Sequence, residues 1–179
     1  KNIITVTDIN LIKIPSVKKV LNYLKNNFNA KILTLSSGEP NYKIIESTSK
    51  KIFNEKYDLV IALGGGSILD IVKSASMFEN SIENVDNYSG SRKQYTQRLI
   101  KTLAIPTTAG TGSEYTHTAV YKTRLNIKNW IWDELTYYDY VIYFPFLTVD
   151  LPKDVTVASG VDAFDHLIES LMSLKFDSQ

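Results

Sequence analysis

Apolar residues in the N-terminal part of the chain alternate between strand-like and helix-like spacing. Residues 3–7 form a short β-branched run, and apolar residues then recur at helical spacing over residues 17–28. The alternation continues with a strand at 30–35, a helix at 42–54 and a strand at 59–63 that leads into a third helix. Alternating strands and helices predict an α/β fold with a parallel sheet.

The pattern is weaker in the second half of the chain. Residues 81–101 are polar and are interpreted as a surface loop with little regular structure. Short strands are predicted at 103–105 and 116–121, and a final helix with one broad apolar face is predicted over 155–174. The segment 130–146 is rich in aromatic rings, which are interpreted as core or interface and not as a ligand box.

Three consecutive glycines, Gly64, Gly65 and Gly66, connect the third predicted strand to its helix. Glycine has no Cβ, so the turn can take positive φ and its backbone N–H groups can approach an anion closely. Ser67 is predicted to cap the helix, with Asp70 as the second half of a capping box. A helix N-terminus of this kind favours a phosphate group, although a tight turn that binds nothing would use the same residues.

A second loop, PTTAGTGSE at residues 106–114, consists almost entirely of small and hydroxyl-bearing residues. Its hydroxyl groups can hydrogen-bond a phosphate, ribose or amide group. They belong to Thr107, Thr108, Thr111 and Ser113. Asp8, the polar loop at 36–41 and both small-residue loops all follow predicted strands, so we expect them to share one crevice at the carboxyl ends of a parallel sheet.

Asp162 and His166 lie one helical turn apart on the last predicted helix and are therefore neighbours. Such a pair can offer a carboxylate oxygen and an imidazole nitrogen to one divalent metal, or it can form a hydrogen bond on the helix surface. The sequence alone leaves both interpretations open. His117 is interpreted as structural or peripheral because no second ligand shares its spacing.

Composition narrows the class of protein. The chain has 179 residues, a formal net charge of +1 and scattered basic residues, so it is not expected to bind nucleic acid. It has no cysteine, which excludes disulfides and thiolate metal sites and favours the reducing cytoplasm. No signal peptide and no membrane-spanning helix are predicted, so no membrane partner is expected.

Taken together, four motifs resemble the iron-containing (group III) alcohol dehydrogenase family. They are GGGSILDIVK at 64–73, AIPTTAGTGSE at 104–114, LP at 151–152 and SGVDAFDHLIES at 159–170. The resemblance implies a Rossmann-like dinucleotide-binding domain over residues 1–152. Residues 153–179 would then be the first helix of an all-helical domain, with a metal in the cleft between the two.

The resemblance also assigns roles to individual residues. Asp8 matches an acidic residue near the adenosine ribose, which favours NAD over NADP because a carboxylate repels a 2′-phosphate. The first loop, with Gly64, Gly65, Gly66 and Ser67, matches the pyrophosphate loop, and Asp70 lies near the nicotinamide end. Thr107, Thr108, Thr111 and Ser113 match the second cofactor loop, Lys128 matches a cofactor-contacting lysine, and Asp162 and His166 match the first two ligands of a metal, Fe or Zn.

The sequence also departs from the family pattern. Phe144 stands before Pro145 where the family has Asp-Pro, and two further metal-binding histidines are not found before Gln179. A strand ahead of residues 5–8 is not found either, so the chain is interpreted as an incomplete member, either a fragment or a naturally reduced relative. Two protein ligands seldom hold a catalytic ion, so the chain as given is expected to be poorly metallated or inactive.

The implied function is hydride transfer between NAD(H) and a small alcohol or aldehyde, with a divalent metal as Lewis acid. Two alternatives are a non-catalytic dinucleotide-binding module and a relative of glycerol dehydrogenase or dehydroquinate synthase. Family analogy favours a homodimer, to which the aromatic segment 130–146 could contribute surface.

Overall fold

A five-stranded parallel sheet forms the centre of the computed structural model, which describes residues 2–78, 84–91 and 99–173. The strands lie in the order β2-β1-β3-β4-β7. Their bounds are Ile3–Asp8 (β1), Lys31–Leu35 (β2), Leu59–Gly64 (β3), Lys101–Pro106 (β4) and Tyr140–Val141 (β7). The predicted Rossmann-like α/β fold is confirmed.

Four α-helices and one hairpin complete the described structure. The helices are Pro15–Phe28 (α1), Tyr42–Asn54 (α2), Gly66–Ala75 (α3) and Lys153–Met172 (α4). Strands Thr118–Lys122 (β5) and Lys128–Trp132 (β6) pair antiparallel as a separate two-stranded sheet. Among the described residues, no helix combines the length and the apolar character needed to cross a bilayer.

The central strands β1 and β3 are covered on both faces, which explains why they are continuous apolar runs. On one face, Val6, Val60 and Ala62 pack with α2 and α3 in the larger core cluster. On the other face, Ile61 and Leu63 pack with the apolar side of α1. The register of β1 with β2 and β3 brings Asp8, Leu35 and Leu63 to the same edge of the sheet, so the loops after these strands lie side by side.

The segment between α3 and β4 differs from its predicted form. Residues 85–91 form short 3-10 turns, in which Val85 and Tyr88 are buried in the larger core cluster. The expectation of a surface loop was therefore wrong for these residues, because two apolar side chains in a polar segment are enough to anchor it. Within the predicted loop, residues 81–83 and 92–98 lie outside the described residues, and Lys101 belongs to β4, so the loop ends before that residue.

The aromatic segment is mostly exposed, so most of its rings do not belong to the core, which was one of the two roles expected for them. Tyr138 is buried, and its hydroxyl donates to the Leu69 carbonyl oxygen at 2.7 Å. In β6, Ile131 is the buried residue, and its neighbours Trp130 and Trp132 point outward because side chains alternate along a strand. Six rings keep 40–57% of their surface exposed: Trp130, Trp132, Tyr137, Tyr140, Tyr143 and Phe146.

Candidate functional site

A cleft of about 640 Å³ opens at the carboxyl ends of β1, β3 and β4. The first loop, the second loop and the residues that precede α4 all line it. The predicted site residues that line it are Asp8, Gly65, Gly66, Ser67, Thr107, Thr108 and Thr111. The structure therefore brings together most of the residues that the sequence placed in one crevice.

The first loop packs closely against the second loop and begins helix α3. Gly65 is the N-cap of α3 in an extended conformation, and no side chain caps the helix, so the predicted capping box of Ser67 and Asp70 is wrong. None of Gly64, Gly65 and Gly66 has a positive φ angle, so backbone conformation does not explain why glycine is needed here. A Cβ on Gly66 would instead lie 2.7 Å from Thr111 Cγ2, so the two loops approach too closely for a side chain.

The second loop lies across the first loop and against α4. Its Thr107 N–H donates to the Gly64 carbonyl oxygen at 3.0 Å, while the buried Thr107 Oγ1 has no hydrogen-bond partner among the described residues. A Cβ on Gly110 would lie 2.5 Å from the Ser159 carbonyl oxygen, so this loop touches the backbone of α4. Thr107 is also among the residues that line the cleft.

Asp8 ends β1 at the rim of the cleft, where the protein fixes its carboxylate. Asp8 Oδ1 accepts from the Asn10 N–H at 2.6 Å and from Ser37 Oγ at 2.8 Å, and Asn10 Nδ2 also donates to Ser37 Oγ at 2.6 Å. Ser37 comes from the polar loop after β2, and Gly38 of that loop also lines the cleft. Asp8 therefore contributes a fixed carboxylate to the cleft, whose lining also includes Asp150 and the N-terminal residues of α3.

Lys128 lies near the first cleft but lines a smaller, adjoining cavity of about 220 Å³. The two cavities share Gly66, Ser67 and Thr111 as lining residues. The Lys128 ammonium lies 4.0 Å from a carboxylate oxygen of Glu39, which also pairs with Lys122. Lys122 and Lys128 are direct partners in the β5–β6 hairpin, and both line the smaller cavity together with Glu39.

Asp70 and Ser113 contact each other rather than lining the larger cleft. Ser113 Oγ donates to Asp70 Oδ1 at 2.5 Å, and the Val120 N–H donates to Asp70 Oδ2 at 3.0 Å. Burial raises the pKa of the Asp70 carboxyl, while the Lys73 ammonium and these two hydrogen bonds act in the opposite direction. Asp70 thereby connects α3 to the second loop and to β5.

Sequence reasoning missed Lys73, which is 2% exposed and follows Asp70 by one helical turn. Its ammonium donates to the carbonyl oxygens of Thr116 and Thr118 at 2.8 and 2.9 Å. Burial lowers the pKa of the Lys73 ammonium to about 8, although the negative charges of Asp70 and Glu114 oppose this shift. The position of Lys73 within the apolar stretch ILDIVKSA could have indicated its role. A lysine in a buried segment requires specific partners for its charge.

Asp162 and His166 occupy the exposed part of α4. They follow Ser159, a cleft-lining residue, on the same line of the helix. His166 Nε2 lies 3.9 Å from Asp162 Oδ1, and the two side chains are 52% and 42% exposed, respectively. Within the described ranges, no three His, Cys, Asp or Glu side chains lie together in a way that could hold a metal ion.

The family model for iron-containing alcohol dehydrogenases matches residues 1–145. The chain belongs to the iron-containing alcohol dehydrogenase family. This confirms the resemblance stated from the four sequence motifs.

Among its relatives, the chain is 35% identical to long-chain-alcohol dehydrogenase 1 of Geobacillus thermodenitrificans (strain NG80-2), over 97% of this chain and 45% of that protein. It is 31% identical to the mitochondrial hydroxyacid-oxoacid transhydrogenase of Xenopus tropicalis, over 99% of this chain and 40% of that protein. Both names are those of oxidoreductases. The chain spans less than half the length of these relatives.

The fold is also similar to a solved structure that holds a nicotinamide cofactor. Sulfoacetaldehyde reductase from Bifidobacterium kashiwanohense, in complex with NAD+, superposes with a TM-score of 0.88 at 27% identity. The superposition covers 99% of this chain and 47% of that one. For a metal, Asp162 and His166 of α4 have no third potential ligand beside them among the residues that the structure describes.

Proposed function

We propose that this chain is the cofactor-binding part of an oxidoreductase that transfers hydride between NAD(H) and a small alcohol or aldehyde. The observation that carries the proposal is the cleft of about 640 Å³, which the glycine-bounded N-terminus of α3 and the hydroxyl-bearing loop at 106–114 both line. The cofactor-binding domain is assigned to residues 1–152 and the start of a helical domain to residues 153–179. Pro152 supports that boundary because it is the N-cap of α4.

The cofactor roles follow from charge and position. The N–H groups at the start of α3, next to Gly65, Gly66 and Ser67, are assigned to the pyrophosphate, because orphan amides and the helix dipole favour an anion there. Asp8 is assigned to the adenosine ribose, where its charge selects NAD over NADP. Thr107, Thr108 and Thr111 supply hydroxyl groups from the facing loop, and Lys128 supplies a positive charge from the adjoining cavity.

Asp162 and His166 are assigned as two ligands of a divalent metal, Fe or Zn, in the whole protein. When bound, such a metal acts as a Lewis acid on the alcohol or aldehyde oxygen. The pair alone is insufficient, so the chain as given is proposed to bind metal poorly and to lack turnover. This same observation favours a second candidate function, a dinucleotide-binding module that performs no chemistry.

The cofactor assignment is tested by calorimetric titration of the chain with NADH and NADPH, and the chain should bind NADH more tightly. Replacing Thr107 by Val removes a buried hydroxyl that has no hydrogen-bond partner within the described ranges. This variant should fold with a free energy of unfolding equal to wild type or higher by about 1 kcal/mol, but bind NADH about tenfold more weakly.

Thr5→Val is the matched control, because Thr5 Oγ1 is also buried and unpartnered among the described residues but lies outside the cleft. It should leave NADH affinity unchanged. Wild-type chain that binds no NADH would overturn the proposed function. Equal NADH affinity in the Thr107 and Thr5 variants would instead show that the cofactor does not meet Thr107.

We also propose a cytoplasmic location and a homodimer for the whole protein. The absence of cysteine supports the location, because reducing conditions impose no need for disulfides. The exposed rings of residues 130–146 support an interface. Sedimentation equilibrium of wild type and of Trp130→Glu tests the dimer, which the added charge should weaken if this surface forms it.

A further inference from the structure

Lys73 is buried behind the cofactor cleft and lines neither of the two cavities that meet at the α3 N-terminus. We propose that Lys73 is a positioning residue, whose ammonium ties the second loop and β5 to α3 and so sets the affinity of the cleft for NADH without touching the cofactor. The inference rests on the proposed function, because it concerns the affinity of that same site.

The contacts of Lys73 use its full donor capacity. Its Nζ donates to the Thr116 carbonyl oxygen at 2.8 Å, to Thr116 Oγ1 at 3.0 Å and to the Thr118 carbonyl oxygen at 2.9 Å. An ammonium has three N–H donors, so the charged form satisfies all three acceptors at once. Thr116 and Thr118 join the second loop to β5. Among the described residues, the side-chain hydrogen bonds that join α3 to residues 113–120 come from Lys73 and Asp70.

Asp70 completes the connection from the same helix. Its carboxylate lies 4.0 Å from the Lys73 ammonium and accepts from Ser113 Oγ and from the Val120 N–H. The pair therefore holds the chain at 113, 116, 118 and 120 against one turn of α3. That turn directly follows the helix N-terminus assigned to the pyrophosphate, so the pair fixes the distance between the two cofactor loops.

Protonation of Lys73 is expected to control this connection. Two charged groups act on it, Asp70 from α3 and Glu114 from the second loop, and the same two groups act on the buried hydroxyl of Tyr138. Burial raises the pKa of Tyr138 well above its ordinary value and lowers the pKa of Lys73 to about 8. Above pH 8, Lys73 becomes a neutral amine with two donors for three acceptors, which weakens the link.

The experiment measures NADH affinity of the 179-residue chain between pH 7 and pH 9.5 by cofactor fluorescence. Wild-type affinity should be constant near pH 7 and fall severalfold as the pH rises through about 8. Lys73→Met should bind NADH at least tenfold more weakly at pH 7, with no further loss as the pH rises. Lys51→Met, which removes the same charge from an exposed position on α2, should behave as wild type.

Each outcome decides the proposal. Equal affinity of Lys73→Met and Lys51→Met at pH 7, or parallel pH profiles for Lys73→Met and wild type, would overturn it. Should Lys73→Met fail to fold, the wild-type profile decides, since an affinity that is flat from pH 7 to pH 9.5 contradicts the proposal. Wild-type chain without NADH affinity at any pH would instead overturn the proposed function.

Discussion

Asp8 shows how a single side chain is prepared for a ligand. The N–H of Asn10 and the hydroxyl of Ser37 both donate to Oδ1, so the carboxylate is held in one orientation at the end of β1. Side chains whose orientation is fixed in advance lose less conformational entropy on binding. A fixed negative charge at this rim should therefore discriminate strongly between a ribose hydroxyl and a ribose phosphate.

Replacing Asp8 by Asn should change cofactor selectivity more than stability. The amide oxygen can still accept from Asn10 and Ser37, but the charge that repels a 2′-phosphate is lost. We expect the ratio of NADPH to NADH affinity to rise on the order of tenfold, or about 1.4 kcal/mol. Calorimetric titration with both cofactors measures this ratio.

Asp58→Asn provides the control, because Asp58 lies just before β3 at the opposite end of the sheet and accepts from the Asn2 N–H at 2.8 Å. The same charge change at that position should leave the cofactor ratio unaltered. An unchanged ratio in the Asp8 variant would mean that Asp8 does not face the ribose.

Residue types in loops were more predictable than their contacts. The sequence identified the glycines and hydroxyl-bearing residues of the cleft, because these residue types have few other uses at the end of a strand. It did not reveal that Asp70 points away from its own helix N-terminus, since the partners Ser113 and Val120 are distant along the chain. Lys73 was missed for the same reason.

At the scale of elements, the spacing of apolar residues predicted the helices and strands that have a regular local pattern. Helix α2 has the predicted bounds, and β1 to β4 lie close to their predicted positions. Strand β7 was missed because it has only two residues and both belong to the aromatic segment. Helix α4 illustrates a different limit, because its apolar face was predicted correctly from spacing but none of its described residues is buried.

The attachment of α4 to the rest of the molecule depends on a contact without a side chain. Gly110 packs against the Ser159 backbone, where a Cβ would lie 2.5 Å from a carbonyl oxygen. Gly110→Ala should therefore push the second loop and α4 apart. We expect faster amide hydrogen exchange in α4, measured by mass spectrometry, and weaker NADH binding because Thr111 shifts with the loop.

Gly160→Ala is the matched control for this variant. Nothing lies within 4 Å of a Cβ at Gly160, so the substitution introduces no contact and should stabilise the helix by about 1 kcal/mol. Exchange in α4 should slow in that variant. Equal exchange in the Gly110 variant and wild type would show that α4 is held by other contacts.

At the scale of the whole molecule, spacing predicts which face of an element is apolar but not what covers it. The exposed apolar side chains of α4 include Phe164, Leu167 and Leu171. A second apolar surface forms a groove of about 730 Å³ beside α1, lined by residues that include Leu103 and Ile105 of β4. Both faces were expected from periodicity, and their exposure became apparent only from the assembled structure.

Asp162 and His166, the proposed metal ligands on α4, lead to a prediction about the whole molecule. The chain should bind the cofactor but not the metal that the reaction needs. Asp162 and His166 are both exposed, and no third ligand accompanies them within the described ranges. Two ligands on a solvent-exposed helix bind a divalent ion weakly, so adding Zn²⁺ or Fe²⁺ at about 0.1 mM should leave the melting temperature of the chain unchanged. NADH should raise that temperature in the same experiment, because the proposed cofactor site exists in the folded state only.

Two histidine variants make this result interpretable, since the chain has two histidines. His166→Ala removes a proposed ligand, whereas His117→Ala removes a ring whose Nδ1 lies 3.0 Å from the Tyr137 hydroxyl. A metal-dependent rise in melting temperature that disappears only in His166→Ala would contradict the prediction and would mean that the chain acquires further ligands, for example from a second copy. No rise with metal and a clear rise with NADH would establish that cofactor binding is complete in this chain while the metal centre requires additional residues.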